Sequence, residues 1–140
     1  MENANYVTEQ LEYRYQNAPI LGGGYVTGFV FEPAVKGMLY LRTDIGGAYR
    51  FDPWDQKWKS LCDSVTAEDK AETYPIAIAV NPRHPGMLYM ASGDWREEHG
   101  WFSVSEDYGK HFRRFALPMK VHGNLPGRGI RRRLPAQNQD

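Results

Sequence analysis

The sequence predicts an all-β chain, an incomplete β-propeller of about two blades. Three observations carry that expectation. The 140 residues include 14 glycines, 9 tyrosines, 6 phenylalanines and 4 tryptophans, a composition suited to strands joined by tight turns. Short runs rich in β-branched and aromatic residues recur at close spacing, and no helical periodicity persists long enough to compete. An internal repeat gives the blade period: "EPAVKGMLY" and "NPRHPGMLY" both read Pro, three residues, then Gly-Met-Leu-Tyr, and Tyr40 and Tyr89 are 49 positions apart. A unit of roughly 40–50 residues with about four strands is the signature of a propeller blade.

The elements follow in order. Residues 1–18 are polar with scattered tyrosines and read as a lead-in, with an edge strand around 11–15. The partial propeller is expected over 19–130. "YVTGFVF" after the triple glycine is the first strand, stopped by Pro33, a residue that cannot donate to a ladder. "GMLYLRT", "GAYRFD" and "KWKSLCD" complete one set of four. After the charged turn "TAEDKAE" come "YPIAIAVNP", "GMLYMAS", "GWFSVSED" and "KHFRRFALP", a second set. Residues 131–140 are polar and strandless, and read as an aberrant or truncated tail.

Composition narrows the function classes. Seventeen basic and 17 acidic side chains give a formal net charge of +0, which favours neither nucleic acid nor an anionic membrane surface as a partner. "RRR" at 131–133 is too short and isolated to change that. No run approaches 18 apolar residues, so no membrane helix is expected. The first residues lack a basic segment followed by an apolar one, and the expectation as written is a cytoplasmic product. Cys62 is the lone cysteine, so neither an intrachain disulfide nor a zinc cluster is available. His84, His99, His111 and His122 have no metal-ligand spacing. Serine and cysteine stand in no nucleophile motif, and no phosphate-binding glycine loop precedes a helix. No cofactor or metal is implied.

A second repeat is read over the first. "SEDYGKHF" has the Asp-box pattern Ser-x-Asp-x-Gly-x-x-aromatic. Asp107 is expected to accept backbone N–H bonds across a turn, with Gly109 supplying permissive dihedrals and Phe112 anchoring it in the blade core. "RTDIGGAY" is overlaid on it, with Arg42 at the Ser position and Asp44, Gly46 and Tyr49 matching the rest. The two boxes are 63 apart against 49 for the other repeat, and the difference of 14 is assigned to an insertion within "SGDWREEHGW". Loops of this kind lengthen one face, often the binding face. Trp95 and Trp101 then serve either as a sugar-stacking platform or as packing. Trp54 and Trp58 are placed in the blade core, and Asp63 and Asp94 at the surface.

"GGGYVTGFVFEP", "LYLRTDIGGAYRFD", "FSVSEDYGKHF" and "LPMKVHGNLPGRG" resemble the N-terminal part of the glycoside hydrolase family 74 xyloglucanases. These enzymes are built from two seven-bladed propellers facing each other across a cleft. The resemblance runs from about Tyr15 to Ile130; "RTDIGGAYR" is its most specific part, and the Asp-box also occurs in sialidases, sortilins and photosystem assembly factors. It implies inverting hydrolysis of internal β-1,4-glucosidic bonds in xyloglucan, with Asp44 as the general base. The general acid comes from the second propeller, which this chain lacks. Asp44 alternatively serves only as a turn cap. The adjacent Gly46 and Gly47 let a polymer approach the backbone, and Arg42 or Arg50 is expected to hold Asp44 ionised. Tyr25 belongs either to the cleft or to the core, and Arg128 either orients substrate or forms a structural ion pair. Family members are often secreted. The chain departs from the family after "GRG", where Arg131 and Arg132 replace Gly and Glu. With two blades and open strand edges, it is expected to be inactive and unstable alone, needing the remainder of the propeller pair. The competing reading is a non-catalytic Asp-box module that binds carbohydrate or protein.

Overall fold

The computed structural model of the chain describes Arg14, Tyr15 and residues 17–122. The expected 131–140 tail, Arg128 and most of the expected 11–15 edge strand lie outside that set; Arg14 and Tyr15 are not in a strand. Among the described residues eight strands form, each within a run read from the sequence: β1 (Val26–Phe31), β2 (Leu39–Thr43), β3 (Ala48–Asp52), β4 (Lys57–Ser60), β5 (Pro75–Val80), β6 (Leu88–Ser92), β7 (Trp101–Ser105) and β8 (Arg113–Ala116). They make two antiparallel four-stranded meanders, β1-β2-β3-β4 and β5-β6-β7-β8. The two sheets stay open and do not close into a ring. One 3-10 turn, Lys70–Thr73, stands inside what the sequence suggested was a plain charged turn and its continuation. No helix among the described residues is long and apolar enough to cross a membrane.

The 49-residue repeat is a repeat of backbone as well as of letters. In the first blade the N–H groups of Val35, Met38 and Glu32 donate to the carbonyls of Glu32, Val35 and Met38 respectively; those of His84, Met87 and Asn81 donate likewise to Asn81, His84 and Met87. Gly37 and Gly86 take φ of 84° and 83°, a left-handed conformation that costs glycine little and a branched residue much. Both blades also carry a bulge near the start of the first strand, at Val26/Gly28 and at Pro75/Ala77.

The blades pack face to face through β1 and β2 against β5. Met38, Tyr40, Ala48, Leu61, Leu88 and Met90 form the buried cluster between them, with Val30, Ile78, Val80, Tyr108 and Phe112 at its margin. Leu88 is fully buried, so Leu88→Ala is expected to lower the unfolding free energy by about 3 kcal/mol through lost transfer energy plus a residual cavity. Urea unfolding of the chain measures this, and a loss below about 1 kcal/mol would place the shared core elsewhere. Polar contacts also span the blades. Arg50 donates to the carbonyl of Tyr108 and pairs with Asp52 at 3.7 Å. Glu72 of the 3-10 turn meets Arg114 of β8 at 2.6 Å as an ion pair without hydrogen-bond alignment. The outer side of β1 leaves Phe29 and Phe31 about two-thirds exposed, ring on ring at 6.0 Å.

The register corrects the overlay of the two Asp-like turns. "RTDIGGAY" spans the β2–β3 turn, whereas "SEDYGKHF" spans the β7–β8 turn, so the two are not counterparts. Arg50 pairs with Lys59 as Val104 pairs with Arg113. The first-blade equivalent of the Asp-box is therefore "FDPWDQKW", with Trp58 in the place of Phe112. Trp58 is half-buried against Phe51, with ring centres 5.3 Å apart. Trp54, expected in the core, is instead 73% exposed at the turn tip. Arg42 faces Ala48 and Ala91 faces Phe102, separations of 6 and 11, so the β6–β7 loop is longer by five residues and not by 14.

Candidate functional site

The true Asp-box behaves as its residues demand. Asp107 accepts the N–H groups of Lys110 and His111 at 3.0 and 2.9 Å, and the Ser105 hydroxyl at 2.8 Å. Ser105 Oγ in turn accepts the N–H of Gly109 at 2.8 Å. Burial disfavours the Asp107 carboxylate, but the bonds from His111, Ser105 and Lys110 outweigh it and hold the group well below the usual carboxylate range. Both carboxylate oxygens of Asp107 serve the turn, Oδ2 facing His111 Nδ1 at 2.6 Å.

Asp44 is arranged differently. Its turn is closed by Thr43, whose hydroxyl accepts the N–H of Gly46 and donates to the carbonyl of Gly47, both at 2.8 Å. That relieves Asp44 of capping duty. Its Oδ1 accepts the N–H of Tyr25 at 2.7 Å and of Ile45 at 2.9 Å, and its own N–H donates to the Tyr25 carbonyl at 3.0 Å. Oδ2 makes no hydrogen bond among the described residues, and the residue is half-buried. One oxygen is thus fixed and the other is left available.

The triple glycine explains the fit. Gly22–Gly24 lies directly over the Asp44 turn: a Cβ on Gly22 would strike the Tyr49 hydroxyl, and one on Gly46 would overlap the carbonyl of Gly23. Gly24 has φ of 102° and sits beside Thr43 and Asp44. The backbone that closes on Gly46 is thus the chain's own glycine loop, and Gly47 is buried beside Cys62. The Tyr25 ring projects from this loop, 76% exposed. Arg42 donates to Thr27 Oγ1 at 2.6 Å, and Arg50 is engaged with Asp52 and Tyr108. Neither pairs with Asp44, so the expectation that an arginine holds it ionised is corrected; two backbone N–H groups stand there instead.

The β6–β7 loop brings aromatic surface to the same end of the blades. The N–H of Gly47 donates to the Thr73 carbonyl at 2.9 Å, and that of Gly93 to the Tyr74 carbonyl at 3.1 Å. Two adjacent residues therefore tie both loops together. Trp95 is 53% exposed in this loop. Trp101, half-buried at the start of β7, meets His99 edge-on at 5.0 Å. Asp94, expected at the surface, is buried because Arg96 neutralises it with a forked contact, whereas Asp63 is exposed as expected. Thr43, Tyr74 and Arg96 escaped the sequence reading; Thr43 alone left a signal, a hydroxyl three residues before Gly46 that accepts that glycine's N–H, as the Ser105 hydroxyl four residues before Gly109 does in the second turn. Among the described residues no group of three or more His, Cys, Asp or Glu side chains could hold a metal ion.

Consecutive four-stranded antiparallel meanders, the second ending in an Asp-box turn, define a piece of a β-propeller. No family model matches the chain. It is 38% identical over 123 residues to a xyloglucanase of a Paenibacillus species, covering 85% of this chain and 12% of that protein. To the oligoxyloglucan-reducing end-specific xyloglucanase of Emericella nidulans it is 37% identical over 123 residues, covering 87% and 15%. The crystal structure of a family 74 xyloglucanase from Xanthomonas campestris matches with a TM-score of 0.70 at 40% identity, over 81% of this chain and 16% of that one. The chain thus spans 12–16% of the length of these relatives. Over that span the chain is homologous to the glycoside hydrolase family 74 xyloglucanases.

Proposed function

We propose that these blades carry the general base of an inverting glycoside hydrolase that cuts internal β-1,4-glucosidic bonds of xyloglucan. The observation that carries the reading is the asymmetry of Asp44: Oδ1 is held by two backbone N–H groups while Oδ2 stays open. Such a carboxylate takes a proton from water as the water oxygen bonds to the sugar's anomeric carbon. The bond to the leaving oxygen breaks on the opposite face, and that oxygen is protonated by a carboxylic acid roughly 6.5–9.5 Å away. The acid belongs to a second propeller, outside these blades, and needs no metal or organic cofactor. Tyr25, Trp95 and Trp101 offer rings for sugar stacking. By the resemblance Arg42 and Arg128 are assigned to substrate binding, whereas Gly46 is closed over by the Gly23 carbonyl and Gly47 is buried beside Cys62, which corrects the expectation that these two glycines admit a polymer. The names of the relatives support the substrate class, and they include one specific for reducing ends.

The test replaces the matching 123-residue segment of the Paenibacillus xyloglucanase with the corresponding part of this chain. Release of reducing sugar from xyloglucan by the chimera is the expected result. A folded chimera that binds xyloglucan without cutting it would favour the non-catalytic module.

A further inference from the structure

Arg96 is a surface residue with an unusual number of engagements. Its guanidinium forks onto the buried carboxylate of Asp94, with Nε at 3.0 Å from Oδ1 and 2.9 Å from Oδ2, and its terminal nitrogen also contacts Oδ2. The same group donates to the Tyr74 hydroxyl at 3.1 Å. Its central carbon lies 5.9 Å from the Tyr74 ring centre and 6.0 Å from that of Trp95, within the range of cation–π attraction. A planar, permanently charged fork can make these contacts together; an ammonium cannot.

The anchor of this cluster reaches the proposed catalytic turn. Tyr74 receives the Arg96 donor on its hydroxyl and the Gly93 N–H on its carbonyl, while the preceding Thr73 carbonyl receives the N–H of Gly47. Asp94, the other end of the clamp, is held 3% exposed, so the loop cannot swing without uncovering an ion pair. The loop tip at Glu97 is closed onto the Asp94 carbonyl at 3.0 Å. Trp95 therefore stands between two fixed neighbours on a loop stitched to the segment that also stitches the Asp44 turn.

We propose that Arg96 is a positioning residue: clamped by Asp94 and Tyr74, it fixes the Trp95 indole as a preorganised stacking surface for a glucan ring on the Asp44 end of the blades. This rests on the glucan-binding reading above and adds the residue that makes the platform rigid. A tryptophan already ordered before binding avoids the entropic cost of immobilisation, and loosening it is expected to weaken binding about three- to tenfold.

The experiment uses the 140-residue chain labelled with 5-fluorotryptophan, the Trp95 resonance being assigned through Trp95→Phe. Arg96→Lys keeps the charge without the fork. Asp94→Asn combined with Arg96→Gln removes both charges, so that no buried carboxylate is stranded, and Tyr74→Phe removes only the hydroxyl. In the first two variants the Trp95 fluorine line is expected to narrow and move toward its position in unfolded chain. Affinity for a xyloglucan oligosaccharide should fall about three- to tenfold, with a smaller change in Tyr74→Phe. An unmoved Trp95 resonance overturns the clamp, as does unchanged affinity in a chain that binds. If the parent chain binds no oligosaccharide, the glucan-binding reading fails by itself; the fluorine line still judges whether Arg96 orders Trp95.

Discussion

Asp44→Asn in the xyloglucanase chimera is expected to lower kcat by about 10²- to 10⁴-fold, the usual contribution of a positioned general base. The substitution is isosteric, and the amide oxygen can still accept the N–H groups of Tyr25 and Ile45 that now reach Oδ1. Thr43 continues to close the turn. The fold, the melting midpoint and KM should therefore change little, and the loss should fall on the chemical step. Only the open oxygen is altered: an NH₂ group replaces Oδ2 and cannot take a proton from water. Initial rates of reducing-sugar release, measured against xyloglucan concentration, separate the two parameters. A loss of kcat below tenfold would remove Asp44 from the base's role.

Arg114→Ala is expected to cost about 3 kcal/mol of stability at neutral pH, because it leaves the Glu72 carboxylate buried without its counter-ion. The Glu72 side chain is 2% exposed and pairs with Arg114 at 2.6 Å, and Arg114 also donates to Ser64 at 2.7 Å. Burial raises the Glu72 carboxyl above its ordinary value of 4.5, with Arg114 opposing the rise and Asp69 adding to it. Removing Arg114 raises it further. A carboxyl whose folded-state value is raised favours the folded state below its ordinary value, and that advantage is lost as pH climbs from there through the folded value. The penalty of the variant should accordingly shrink as pH falls from 7 toward 4. Urea unfolding of both chains at the two pH values tests this; a difference that does not change with pH would mean that Glu72 is not the stranded charge.

Much of the architecture was legible because strands and turns are local. Pro33 and Pro82, with Gly37 and Gly86 behind them, need only their own dihedrals and hydrogen bonds to form matching turns 49 residues apart. The eight strands followed from β-branched and aromatic runs between such turns. The alignment of the two Asp-x-Gly segments failed because it compared letters, while equivalence within a blade is set by ladder pairing. Arg50 against Lys59 and Val104 against Arg113 fix that pairing, and nothing in "RTDIGGAY" states which two strands it joins. Trp54 was misplaced for a related reason: the hairpin register points Trp58 inward and leaves Trp54 at the tip.

By itself the sequence determined the strand content and the Asp-box turn, since each depends on residues within a few positions of one another; the blade period came from the recurrence of one such segment 49 positions on, and the candidate aspartate from the family resemblance. Tertiary structure alone decided how that aspartate is held. Tyr25 lies 19 residues before Asp44 and reaches it only when the glycine loop settles on the β2–β3 turn. The burial of Asp94 was likewise invisible, because an acid belongs at the surface until a neighbour such as Arg96 removes the cost of desolvating it. Long-range contacts set the dielectric and the partners of each charge, and those two quantities separate a carboxylate spent on capping a turn from one that keeps an oxygen open.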